Sequence, residues 1–292
     1  MTNLTAVVAR KDFEDAVQSK MLWSLMGLLV GIVGLIYLAI WWNVDSPEAM
    51  DIVGPASAFM QLVVPLVALI AGYLSVVGER QAGSIKVLLS LPPTRRDVVF
   101  GKLLGRSAVI VSVVFAAFAA LVLLSLLFFQ SLPLVDFLGI AAASALTGLA
   151  FVGIAVGISA LVASRGRAMA GVIGLYLVFL LFWDLLTAGL HRLVAGELPG
   201  NPGDQFEAWY VFLQWLNPIE AYAILTDAVL DESFGAFTIP LFAPQELSDT
   251  ERVVAGEVPV YLQDPVAIVI LLFWCVVPVA LGYLRFRTVD LG

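Results

Sequence analysis

Long apolar runs alternate with short polar connections along this chain, and six of the runs are long enough to cross a bilayer. They occupy residues 21–42, 56–77, 107–129, 137–163, 169–190 and 266–284. A hydrocarbon core about 30 Å thick needs about 20 apolar residues in a helix. Backbone polar groups inside it are satisfied only by helices or closed barrels. Only the fifth run carries an ionisable side chain, Asp184. The pattern predicts an all-α integral membrane protein of six transmembrane helices, with both termini on one side.

Composition agrees and narrows the choice. Of the 292 residues, 61% are hydrophobic and 13% charged, against about 25% charged in soluble domains. The longest stretch without a membrane-length run is 191–265, so residues 1–292 read as one transmembrane domain. That leaves no room for a free-standing ATPase, kinase or nucleic-acid-binding module, and no nucleic-acid partner is expected. Charge placement then sets the orientation. Residues 1–20, 78–106, 164–168 and 285–292 hold 13 Lys and Arg, against Arg192 and Arg252 on the other side. The positive-inside rule makes both termini cytoplasmic. Trp41 and Trp42 close the first span at the outer headgroup layer. Asp12, Glu14 and Asp15, with no cleavage-site pattern, argue against a removed signal peptide. The six spans show no pair of similar triplets of the kind many secondary transporters carry.

The segment 191–265 holds 12 of the 23 acidic residues. It also holds Phe206, Trp209, Tyr210, Phe212 and Trp215, too dense an aromatic cluster for a disordered linker, and is expected at the outer membrane surface as a cap or packing lid. Asn217-Pro218-Ile219-Glu220 reads as a helix start, with Asn as N-cap and Pro at the first helical position. The helix is expected to run to about Leu230. The acidity fits either electrostatic focusing of cations or a salt-adapted surface.

The loop 78–106 is the most informative part. Ile85, Leu88 and Leu89, with the polar Arg80, Lys86 and Ser90, predict a short amphipathic helix, which Pro92-Pro93 ends. Thr94 and Asp97 form a capping-box-like start for the next helix. The result is a cytoplasmic helix-break-helix elbow between the second and third spans. A loop held to anionic lipid and serving only topology is the plainer alternative.

The run Val77-Gly78-Glu79-Arg80-Gln81-Ala82-Gly83-Ser84 is followed by Leu89-Ser90-Leu91-Pro92, then Arg95 or Arg96, and Gly101-Lys102-Leu103-Leu104-Gly105. Together these resemble the signature loop of ABC-2-type permeases, with a leaning toward the exporter type that serves nitrous oxide reductase maturation. The stretch Ala9-Arg10-Lys11-Asp12-Phe13-Glu14-Asp15 is similar to the family's amphipathic N-terminal helix, and Leu216–Tyr222 to its outer motif. The resemblance implies a homodimer in a prokaryotic plasma membrane, seated on ATP-binding-cassette ATPase subunits. It also implies that Arg10, Lys11, Glu79, Arg80, Gly83, Ser84, Leu91, Pro92, Pro93, Arg95, Arg96 and Asp97 meet that partner. ATP and magnesium then belong to the partner and no cofactor to this chain. The Walker pattern is absent here: at Gly101-Lys102, Arg96 stands where the first glycine belongs and Leu103 follows.

Other residues carry weaker signals. Asp184 either lines a pathway or bonds a neighbouring helix. Gln61 and Pro65 offer an amide and a freed carbonyl to a possible pathway. Small residues in the fourth span, among them Gly139, Gly148, Gly153 and Gly157, favour close helix packing. Gly27 and Gly31 in the first span have the spacing of a dimer contact. His191, Cys275 and six scattered methionines make no soft-ligand cluster, so no metal is expected, and an intramembrane hydrolase lacks a nucleophile and base facing each other. Two readings remain: the membrane subunit of an ATP-driven exporter, or a non-transporting scaffold that transmits force from the same kind of ATPase.

Overall fold

The computed structural model describes residues 4–82, 93–129, 132–201, 203–230, 241–244 and 247–289, with the side chains of 21 and 22 excepted. The stretch 83–92, which contains the predicted amphipathic helix and the candidate residues Gly83, Ser84, Leu91 and Pro92, lies outside the described residues.

The chain is all-α, and six helical stretches are long and apolar enough to span a bilayer. A short helix α1 (Leu4–Val17) precedes the first span, α2 (Lys20–Asn43). The second span, α3 (Met50–Gly72), is followed by a turn and α4 (Val77–Ala82). The sequence pattern ran the second span unbroken to residue 77, but the helix stops at Gly72. Next come α5 (Arg95–Phe128) and α6 (Leu134–Leu161). The fifth span is built from α7 (Arg165–Leu177), a π-helical turn (Val178–Phe182) and α8 (Trp183–Ala195). Two shorter helices, α9 (Ala208–Trp215) and α10 (Pro218–Leu230), a single turn α11 (Thr250–Val253) and the last span α12 (Pro265–Phe286) complete the order.

The central helix is α6, which is buried along most of its length. Its glycines bring neighbouring backbones close. Gly148 faces Ile110 of α5, Gly139 faces Val229 of α10, and Gly153 and Gly157 face the carbonyls of Cys275 and Pro278 on α12. Lipid tails are as apolar as leucine, so helices in a membrane associate by packing, and small residues permit the closest approach. The small-residue reading of the fourth span is what the structure shows.

Helix α5 is the longest element, at 34 residues. Phe128 at its far end lies against Trp41 with ring centroids 5.4 Å apart. The rise from Phe128 back to Arg106 is about 33 Å at 1.5 Å per residue, which consumes a whole bilayer core. Trp23 on α2, about 27 Å from Trp41, marks a level about one helical turn short of Arg106. Its indole N–H donates to the Val17 carbonyl at 3.0 Å. The first turns of α5, Arg95 to Gly105, therefore project about 16 Å beyond the hydrocarbon.

The aromatic segment after the fifth span does not simply rest on the surface. Trp274 Nε1 of α12 donates to the Leu216 carbonyl at 2.8 Å, and Gln61 Nε2 of α3 donates to the Ile219 carbonyl at 3.1 Å. Trp274 and Gln61 each lie about 14–16 Å along their helices from the ends opposite the termini. Helices α9 and α10 thus form a hairpin whose tip, Asn217-Pro218, reaches mid-span depth.

Candidate functional site

At the end of the molecule that carries both termini, three separate stretches converge on one ionic joint. Helix α1 runs parallel to the projecting part of α5, in contact through Gly101 and Gly105. A methyl group on Gly101 would sit 3.0 Å from the Thr5 carbonyl, and one on Gly105 2.8 Å from the Ala9 carbonyl. Val8, Asp12 and Ala16, spaced one helical turn apart, form the buried face of α1.

This close approach buries Asp12 together with two cations. Lys102 Nζ lies 3.2 Å from Asp12 Oδ1 and 2.6 Å from Glu79 Oε1 of α4. Arg106 holds the same carboxylate with Nε at 2.8 Å from Oδ2 and Nη2 at 3.2 Å from Oδ1. The Asp12 and Lys102 side chains are about 5% and 4% exposed, so each is compensated by its partners rather than by water. One lysine therefore ties α1 to α4 through α5. A second link comes from Thr94 and Asp97, which form the expected capping box at the start of α5. Asp97 also accepts the Thr5 hydroxyl at 2.6 Å.

Arg95 is turned into the chain as well. Its Nη1 donates to the carbonyls of Phe286, Arg287 and Val289 at 2.8, 3.1 and 2.6 Å, and its guanidinium lies over the Phe286 ring. It closes the carbonyl end of α12, where a cation is favoured by the helix dipole. Arg80 reaches the Val162 carbonyl at 3.5 Å. Lys11 is exposed, Arg96 is exposed with its guanidinium over the Phe100 ring, and Arg10 pairs with Glu14 on the surface of α1. The residues read from the sequence as facing a partner thus divide: Glu79, Arg80, Arg95 and Asp97 bond within the chain, and Arg10, Lys11 and Arg96 present to solvent, beside the half-buried Pro93. Asp12, Lys102 and Arg106 belong to the site although sequence reasoning did not single them out. The available signal was the spacing of Lys102 and Arg106 one turn apart on a Gly-x3-Gly face.

In the other half, the π-helical turn and Asn217 fit together. A π turn interrupts the regular ladder, and the Phe179 carbonyl within it receives Asn217 Nδ2 at 2.8 Å. Asn217 Oδ1 meanwhile accepts from the Ile219 amide at 3.0 Å, as an N-cap should. Tyr222, one turn along, bonds the Ser57 carbonyl at 3.1 Å and lies 3.3 Å from the Ser144 hydroxyl. Gln61 and Pro65 are buried within α3.

Asp184 is also engaged. Its Oδ2 accepts from the backbone amides of Leu241 and Phe242 at 2.6 and 2.8 Å, and its Oδ1 from Gln214 at 3.2 Å and Tyr210 at 3.4 Å. Nearby, His191 stacks on Trp209 and lies 3.2 Å from Glu207. Glu207's own backbone amide, then His191, hold that carboxyl below its ordinary range. Asp184→Asn sets an amide against the two backbone donors and is expected to destabilise the protein by about 2 kcal/mol. Amide exchange at Leu241 and Phe242 should rise, and a wild-type exchange pattern would show that the carboxylate holds nothing there.

Residues 6–291 match the family described as ABC-2 family transporter protein. The chain belongs to that family. Two curated relatives are each described as a probable ABC transporter permease protein NosY. That of Pseudomonas aeruginosa is 23% identical over 245 residues, 80% of this chain and 85% of that protein. That of Stutzerimonas stutzeri is 25% identical over 239 residues, with 80% and 84% covered. This chain is therefore a membrane-embedded ABC-type permease and not a catalytic ATPase domain. It is a multi-pass membrane protein with prokaryotic relatives, consistent with the plasma membrane. Among the described residues of the permease, no group of three His, Cys, Asp or Glu is placed to hold a metal ion.

Proposed function

We propose that this permease works as a homodimer in an exporter whose separate ATP-binding-cassette subunits bind ATP and magnesium and drive substrate movement. In this reading both termini, the elbow and the projecting turns of α5 are cytoplasmic, and the partner seats against Arg10, Lys11 and Arg96. The observation that carries it is the buried joint of Asp12, Glu79, Lys102 and Arg106. It makes α1, α4 and the base of α5 one rigid block on both sides of the elbow, so a push on the elbow reaches the second and third spans together. The hairpin packed among α3, α6 and α12 favours a route between two chains over one through a single chain. Gly27 and Gly31 support that assignment of the interface, since nothing among the described residues lies within 4 Å of where their side chains would be.

Arg96→Glu tests the partner face and leaves the bonds of Arg95 and the ionic joint untouched. Reversing a charge at an interface rim opposes like charges. Co-purification with the ATPase should fall about tenfold, with the permease inserted normally. Wild-type co-purification and wild-type ATP hydrolysis in vesicles would remove the elbow from the interface. Single cysteines at Ser46 and Ser248 should react with an impermeant reagent from outside, and one at Ser90 should not. Labelling of Ser90 from outside would reverse the orientation.

A further inference from the structure

A cleft opens at the foot of the bundle, beside the ionic joint and independent of any partner. It is an open groove between the start of α2 and the facing parts of α3 and α5, and its volume of about 320 Å³ takes in the space outside its mouth. Leu25, Val67, Ala71, Val109 and Val113 give it aliphatic walls, and Ser19 and Arg106 are the polar residues of its lining. Its depth follows from Trp23, two residues before Leu25, whose exposed indole sits at the headgroup layer. The apolar walls lie deeper than the polar end, in the order of a lipid's own parts.

Arg106 is not used up by Asp12. Nη2 donates to the carboxylate and Nε lies 2.8 Å from its other oxygen, while Nη1 has no partner among the described residues. A guanidinium edge at headgroup depth recognises a phosphate by charge-assisted hydrogen bonds. The aliphatic walls below it accept an acyl chain by packing and shape, since lipid tails and these side chains are equally apolar.

We propose that this cleft binds one phospholipid of the adjacent leaflet, its anionic headgroup on Arg106 Nη1 and one acyl chain between α2, α3 and α5. The lipid then braces the guanidinium from the side opposite Asp12 and so supports the seat of α1. Neighbouring Asp12 and Glu79 balance Lys102 and Arg106, so selectivity comes from the directed Nη1 donor and not from a broad positive field.

The test is native mass spectrometry of the detergent-solubilised full-length permease, titrated separately with phosphatidylglycerol and phosphatidylcholine. Wild type should retain one phosphatidylglycerol per chain, at least about tenfold more tightly than phosphatidylcholine. Millimolar inorganic phosphate should not displace it. Arg106→Gln should abolish the preference. Because that variant also weakens the hold on Asp12, Leu25→Trp serves as the second: it fills the mouth, leaves the ionic joint intact, and should lower retention about tenfold with unfolding temperature unchanged. Equal retention of the two lipids, displacement by phosphate alone, or undiminished retention by Leu25→Trp would each overturn the site.

Discussion

Lys102→Met is expected to free the N-terminal helix from the base of α5. The substitution keeps the length of the side chain and removes its charge, leaving Asp12 buried with one cation fewer and Glu79 without the lysine. Removing one partner of a buried ion pair costs about 3–5 kcal/mol, most of it from the stranded opposite charge. A cysteine at Val8, buried against Gly101 in the wild type, should become reactive in the variant while the spans stay folded. Protection of that cysteine at the wild-type level would mean that the glycine face alone holds α1. Glu79→Gln paired with Lys102→Met should recover part of the loss, because Asp12 and Arg106 then remain as a matched pair in the joint.

Gly157→Leu is the second large effect, and it acts on a different part of the molecule. Helices α6 and α12 meet backbone to backbone: a methyl on Gly157 would overlap the Pro278 carbonyl, and one on Gly282 would come within 2.5 Å of the Gly157 carbonyl. A flexible side chain can turn away from a new neighbour, but a helix carbonyl cannot move without moving its helix. Overpacking of this kind costs about 3 kcal/mol or more, so folded protein should be largely lost from detergent extracts. Gly174→Leu is the control, since nothing among the described residues lies within 4 Å of where its side chain would begin. Equal yields of the two variants would show that α6 and α12 can part without harm.

What the sequence made readable was local. The spans follow from runs of apolar residues, the start of α5 from Thr94 and Asp97, and the start of α10 from Asn217 and Pro218. In each case the deciding contacts lie within one turn. The hairpin was not readable because α9 and α10 have 8 and 13 residues, too few to announce a crossing, and their acidic surroundings resemble a surface segment. Its depth depends on Trp274 and Gln61, which are distant in sequence. The ionic joint was hidden for a similar reason. Lys102 and Arg106 count toward the positive-inside rule whatever they face, and only the approach of α1 at Gly101 and Gly105 turns them inward. Arg95 carries the same lesson: its planar fork suggested a partner's carboxylate, whereas its listeners are three carbonyls at the end of α12.

A stiff rod converts angle into distance, and α5 has the proportions of a lever. Arg95 stands about 33 Å from the level of the bilayer midplane, half of that length beyond the hydrocarbon. A swing of only about 10° around the midplane carries Arg95 through about 6 Å, the height of one helical turn. Since Arg95 grips carbonyls at and just beyond the end of α12, such a rotation would carry the sixth span with it, and a small turn at the foot of one helix would reach two.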